Sequence, residues 1–132
     1  MPEIDSELEL ALNYLDHNKD ESLKRLFDIL KIPSISTQEK YSKDCLNAAN
    51  WFVEQLKDIG FDASIRETNG HPMVVAHFEQ EGPHFLFYGH YDVQPIDPIE
   101  LWNHDPFEPK IEKSHNGEII KARGASDDKG QV

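Results

Sequence analysis

Residues 40–67, KYSKDCLNAANWFVEQLKDIGFDASIRE, change periodicity once, at Gly60, and that change decides the fold class. Up to Asp58 the apolar residues Leu46, Ala49, Phe52, Val53 and Leu56 recur at the three- and four-residue spacing that lines one face of a helix. Gly60 offers the left-handed position at which helices commonly stop. From Phe61 to Glu67 apolar and polar residues alternate, as along a half-buried strand. The stretch predicts a helix over about 40–58 followed by a strand over 61–67, a chain of the α/β class.

Toward the N-terminus the helical spacing continues. Residues 5–17 place Leu8, Leu12 and Leu15 on one stripe. Asn18 and Asp20 can cap a second helix in which Leu23, Leu26, Phe27 and Leu30 face inward. Pro33 ends it, because proline lacks a backbone donor and biases Ile32 away from helix. SIST (34–37) then reads as a loop. Toward the C-terminus, TNGHP (68–72) is a turn, MVVAHF (73–78) a compact apolar strand, and His84–Tyr88 a further strand ending at Gly89. Residues 94–109 contain four prolines, which excludes a long helix or a central strand. KIEKSHNGEIIKA (110–122) reads as a hairpin turning at Asn116-Gly117. Helices precede strands, with no internal repeat.

The 132 residues suffice for one core, and a hydrophobic share of 38% with 29% charged residues suits a globular chain. A net charge of −12 argues against nucleic acid and anionic membranes as partners, since both demand clustered Lys and Arg. No apolar run approaches the ~20 residues that span a bilayer, and the start MPEIDSELEL is not a secretory signal. Cys45 is the sole cysteine, so no internal disulfide can form; this fits a cytoplasmic location. Its place on the inner side of the third helix reads as a small hydrophobe, not a nucleophile.

Two segments carry chemistry: YGHYDVQP (88–95) and RGASDDKG (123–130), each directly after an apolar run. Loops outside the carboxyl ends of strands are where α/β proteins gather ligands. His90 and Asp92 are one residue apart, so in extended chain both can face one side. A metal-binding histidine commonly donates its second ring N–H to a carboxylate. Alone, however, the pair reads better as surface residues. Asp127 and Asp128 are adjacent carboxylates between glycines; one carboxylate can bridge two cations, while a helix-capping turn is the simpler reading of the pair by itself. Asp128 is expected to hold the loop through backbone N–H groups. His104 sits among prolines and is expected in solvent, and His17, His71, His77, His84 and His115 lack acidic or cysteine partners at ligand spacing. Trp102 and Phe107 read as anchors for the proline-rich segment, with a substrate pocket as the alternative.

Taken in order, the motifs resemble the dinuclear zinc aminoacylase/carboxypeptidase metallopeptidase family, in its carnosinase-like dipeptidase branch, across essentially the whole chain. LNYLDHNKDESLKRLFDILKIPSIST (12–37) is similar to that branch's first helices and loop. GHYDVQP (89–95) resembles its metal-histidine motif, Trp102 with DPFEP (105–109) the following segment, and RGASDDKGQV (123–132) its bridging-aspartate motif. The resemblance implies the N-terminal portion of a mixed-sheet, zinc-exopeptidase-like catalytic domain over residues 1–132. It implies His90 as a ligand of one metal, Asp127 as the bridge between two, Asp92 as the catalytic-site carboxylate behind the histidine, and Asp128 as loop support. It also implies a cis peptide between Asp127 and Asp128. Two Zn²⁺ ions would serve the complete site, with Mn²⁺ or Co²⁺ as substitutes, for hydrolysis of a dipeptide or small amide. A homodimer of the full-length protein is in keeping with the family.

The family's general base and remaining ligands lie downstream of the bridging aspartate, and GASDDKG leads into no helix before Val132, so the pattern predicts a truncated chain. Two other readings stay open: an N-acyl amino acid deacylase or desuccinylase of the same family, and a catalytically inactive interaction fragment whose sheet edge seeks a partner. The 132-residue chain alone is expected to bind zinc weakly and to be inactive. Assay against a dipeptide panel with Zn²⁺, Mn²⁺ or Co²⁺ checks this, and turnover would refute it.

Overall fold

Helices come first and hairpins follow, as the periodicities require. The computed structural model describes residues 2–132, with side chains from Ser6 onward. Helices α1 (Pro2–His17), α2 (Lys19–Leu30) and α3 (Ser42–Asp58) precede two antiparallel hairpins. The first pairs β1 (Asp62–Arg66) with β2 (Met73–His77), Ser64 opposite Val75; the second pairs β3 (Lys110–Ser114) with β4 (Gly117–Lys121). Short 3-10 turns occupy Glu39–Tyr41, Ile99–Leu101 and Asp128–Gly130. No helix among the described residues is long and apolar enough to cross a membrane.

Gly60 ends α3 with φ +95°. Phe61 N–H reaches the Leu56 carbonyl at 2.9 Å and Gly60 N–H reaches Lys57, which together close the last turn. The alternation at 61–67 then forms β1, and α3 packs across the β1–β2 hairpin. Buried Ile29, Ala48 and Phe52 form the centre of the core, with Ile32, Trp51, Val74 and Tyr91 packed around them. The Trp51 ring meets Phe52 edge-on at 5.1 Å, in the T-shaped arrangement that aromatic quadrupoles favour.

Five expectations are corrected. The buried side of α3 is Cys45, Ala48, Ala49 and Phe52, while Leu46 lies 43% exposed. Small residues let the helix approach the hairpin closely, and periodicity alone does not separate two overlapping stripes. The α1 stripe is helical but uncovered: Leu8, Leu12 and Leu15 are all more than half exposed. Asn18 does not cap α2 with its side chain, which donates back to the Tyr14 carbonyl. Residues 84–88 form no strand, and Phe85, Leu86, Phe87 and Tyr88 are 81–96% exposed. An apolar run becomes a strand only beside another backbone, and among the described residues none lies alongside it. In the second hairpin the two turn residues are His115 and Asn116, since Ser114 pairs with Gly117, one position before the expected turn.

The core and the α1 stripe are separable energetically. Leu30 is fully buried, so Leu30→Ala should lower unfolding free energy by roughly 2–5 kcal/mol. Leu12→Ala, at an exposed site, should change it by about 0.5 kcal/mol or less. Urea unfolding followed by circular dichroism checks the contrast.

Candidate metal centre

The segment after α2 is not a free loop. Ile35 forms a one-residue parallel bridge with Val93, and Ser34, Ile35 and Val93 are all buried. Val93 N–H donates to the Ser34 carbonyl at 2.9 Å, and the Ser34 hydroxyl donates to the Tyr91 carbonyl at 2.6 Å. Two residues on, the Ser36 hydroxyl donates to Asp92 Oδ2 at 2.5 Å. Alternate residues of an extended strand face one side, so Ser34 and Ser36 grip the 91–93 segment in register. On the far side, Tyr91 donates its hydroxyl to the Pro72 carbonyl, and burial raises its pKa to about 12.

The 123–130 loop folds against the same segment. Gly124 (φ +84°) lies so close to Val93 that a Cβ there would stand 2.7 Å from Val93 Cγ1. Gly130 N–H closes the loop onto the Gly124 carbonyl at 3.0 Å. Lys129 is 1% exposed, and its ammonium donates to the Ile32 carbonyl at 2.5 Å. Burial pushes the Lys129 pKa down to about 8, against the opposing pull of Cys45 and Asp44. The expected cis peptide at 127–128 is absent; among the described residues the cis bond is Asp97–Pro98. Asp128 instead turns the chain with φ +27°, a conformation that Asp tolerates better than most residues.

These contacts bring His90, Asp92, Asp127 and Asp128 together. His90 Nδ1 faces Asp92 Oδ1 at 3.0 Å and the Asp92 carbonyl at 3.1 Å. Two acceptors on one ring nitrogen require that nitrogen to carry the proton. The other nitrogen, Nε2, faces Asp127 Oδ1 at 3.4 Å and Asp128 Oδ2 at 3.7 Å. Asp128 Oδ2 also accepts the His90 backbone N–H at 2.9 Å, which ties the two loops directly. Burial by itself would lower the His90 pKa. The backbone hydrogen bond to Asp92 and the charges of Asp92, Asp127 and Asp128 outweigh it and hold the imidazole above its ordinary value.

The Nε2–Oδ1 gap is the informative distance. It exceeds the ~2.7–3.2 Å of an N–H···O hydrogen bond. Two zinc ligands at about 2.0–2.2 Å and a tetrahedral angle stand roughly 3.4 Å apart, which matches the observed 3.4 Å. An imidazole nitrogen and a carboxylate oxygen are also donors that suit zinc. The pair therefore fits a shared cation. It does not close a shell: among the described residues no group of three or more His, Cys, Asp or Glu could hold a metal ion.

Other candidates lie elsewhere. Trp102 Nε1–H donates to the Ile96 carbonyl at 3.0 Å and its ring lies 5.0 Å from the Arg123 guanidinium, so it pins the proline-rich segment to the site loop. Trp102 and Phe107 also line an open cleft of about 480 Å³ with Pro33, Tyr41 and Ile96. His104 is partly buried, with Nε2 3.1 Å from the Lys121 carbonyl, and not fully in solvent. Cys45 is a buried free thiol, its pKa raised first by burial and then by Asp92 and Asp44. Ser34, Ser36 and Lys129 are the site residues that sequence reading missed. The alternate serines of SIS were the available signal; nothing in DDKG showed that its lysine would be buried.

The signature of peptidase family M20/M25/M40 matches residues 86–132. Along 95% of its length the chain is 31% identical to the Cys-Gly metallodipeptidase DUG1 of Candida albicans, of which it spans 28%. It is 38% identical over 80 residues to the succinyl-diaminopimelate desuccinylase of Alkalilimnicola ehrlichii, covering 61% of this chain and 20% of that protein. The solved structure of the dipeptidase Dug1p of Saccharomyces cerevisiae superposes with a TM-score of 0.75 at 29% identity, over 89% of this chain and 27% of that one.

The closeness of the loop is testable. A Cβ on Gly130 would stand 2.4 Å from the Ala125 carbonyl oxygen and 2.8 Å from that of Gly124. Backbone cannot yield as a side-chain tip can, so Gly130→Ala should destabilise the chain by about 1–3 kcal/mol. The urea midpoint checks it; an unchanged midpoint would contradict the loop packing.

Proposed function

We propose, for a chain whose residues 86–132 belong to peptidase family M20/M25/M40, that it contributes His90 and Asp127 to a two-metal hydrolase site cleaving the peptide bond of dipeptides or small peptides. The observation that carries this reading is the 3.4 Å separation of His90 Nε2 and Asp127 Oδ1. Nδ1 keeps its N–H on Asp92, so Nε2 is the ring nitrogen left to meet a cation beside the Asp127 carboxylate. At this distance a cation fills the gap better than a proton.

A divalent cation bound there supplies a Lewis acid for an amide carbonyl and lowers the pKa of water. The chain's own residues hold the geometry. Asp92 fixes the tautomer and orientation of His90, as carboxylates behind metal-binding histidines do. Ser36 in turn holds Asp92 through its second oxygen. Asp128 keeps the His90 backbone beside the Asp127 loop. We take zinc as the metal, with Mn²⁺ or Co²⁺ as substitutes, and the cytoplasm as the location. Residues 1–132 serve as one portion of the catalytic domain, and the full-length protein as a homodimer.

A second reading keeps the amide chemistry but makes the substrate an N-acyl amino acid. The 38% identity to a desuccinylase favours it. Substrate panels on the full-length protein separate the two.

Calorimetric titration of the chain with Zn²⁺ tests the metal pair. His90→Ala and Asp127→Asn should each weaken binding about tenfold or more relative to the parent. Equal affinities in all three chains would remove the site.

A further inference from the structure

A buried lysine needs an explanation, because taking an ammonium out of water costs several kcal/mol. Lys129 is 1% exposed, and in its place an unbranched apolar side chain would pack against Gly124 as well. What an apolar residue could not do is bind the Ile32 carbonyl. That carbonyl lies just beyond the C-terminal end of α2, where the helix dipole favours a cation. It accepts Ser34 N–H at 2.8 Å as well as the Lys129 ammonium at 2.5 Å. Ser34 then grips Tyr91 and Val93, and Ser36 grips Asp92, which holds His90. Asp127 stands two residues before Lys129, immediately ahead of the 3-10 turn Asp128–Gly130 and within the loop that Gly130 closes onto Gly124.

We propose that Lys129 is a positioning residue for the His90–Asp127 pair: its bond to the Ile32 carbonyl docks the Asp127 loop on the segment that also fixes the His90 loop. The spacing between ligand atoms is then set by one short piece of backbone common to both loops. Lys129 touches neither substrate nor metal in this role. The inference rests on the reading of His90 and Asp127 as metal ligands.

The role has a signature that charge alone cannot imitate. A cationic side chain near a metal site repels the metal, so removing it would tighten binding if Lys129 acted only through its field. Removing a tether loosens binding. Lys129→Met keeps the length of the side chain and deletes the ammonium. In the 132-residue chain, Zn²⁺ affinity of Lys129→Met is expected to fall about tenfold or more, measured by calorimetry on protein shown folded by circular dichroism. With saturating Co²⁺, its visible absorption bands should change in position or intensity, because Asp127 no longer meets the metal at the same angle. A merely structural role would lower the folded fraction and leave the spectrum of the bound metal unchanged.

Parent-like or tighter Zn²⁺ binding by Lys129→Met, with an unchanged Co²⁺ spectrum, overturns the proposal. If that variant does not fold, Lys129→Gln decides by the same two readouts in the same directions. His90→Ala is the control. When it loses binding and the Lys129 variants do not, the positioning role fails and the metal pair stands. When the parent binds no Zn²⁺ or Co²⁺, both fall.

Discussion

Everything at the candidate site depends on one stretch of backbone, Ile32–Ser36. Pro33 prevents α2 from continuing, and the chain leaves the helix through tight turns that bury Ser34 and Ile35. Buried backbone groups must find partners, and here they find them in the two loops that bear the polar residues. Ser34 and Ile35 take the 91–93 segment, Ser36 takes Asp92, and the Ile32 carbonyl takes Lys129. The same satisfaction of buried polar groups that stabilises the core therefore sets the site's geometry. Elements far apart in sequence, such as Lys129 and Ile32, meet without any regular sheet to join them.

The consequence for chemistry is an arrangement that is electrostatically incomplete by itself. Asp92, Asp127 and Asp128 surround one imidazole, and each has a different task in the geometry. Asp92 faces Nδ1 and Asp128 accepts the His90 backbone N–H, which leaves Asp127 facing the second ring nitrogen. Asp127 is also the most exposed of the three carboxylates. Its Oδ1 stands 3.4 Å from His90 Nε2 while its side chain stays partly in water.

How much of this was legible in the sequence follows from the physics of each element. The helices and the first hairpin were readable because their periodicities are local, and Gly60 marked the change between them. The residues His90, Asp92, Asp127 and Asp128 could be singled out as a group only because two motifs in order resemble one family. Ser34, Ser36 and Lys129 were not legible, since their roles depend on contacts across 56 to 97 residues. On the inward face of α3, Cys45, Ala49 and Phe52 were legible, whereas Ala48 was passed over and Leu46 taken in its place, because a pattern weighted by hydrophobicity favours the larger side chain. The 84–88 run was misread for another reason: a strand is a relation between two segments, and one sequence window shows only one of them.

That exposed run from Phe85 to Tyr88 also bears on how copies of the chain behave in one another's presence. Four consecutive exposed apolar side chains offer a surface that another apolar surface can cover. At low ionic strength a net charge of −12 keeps molecules apart. Salt shortens the reach of that repulsion to about 8 Å near physiological strength, while leaving the apolar attraction intact. Added salt is thus expected to weaken the repulsion while leaving this exposed segment, which ends two residues before His90, as apolar as before.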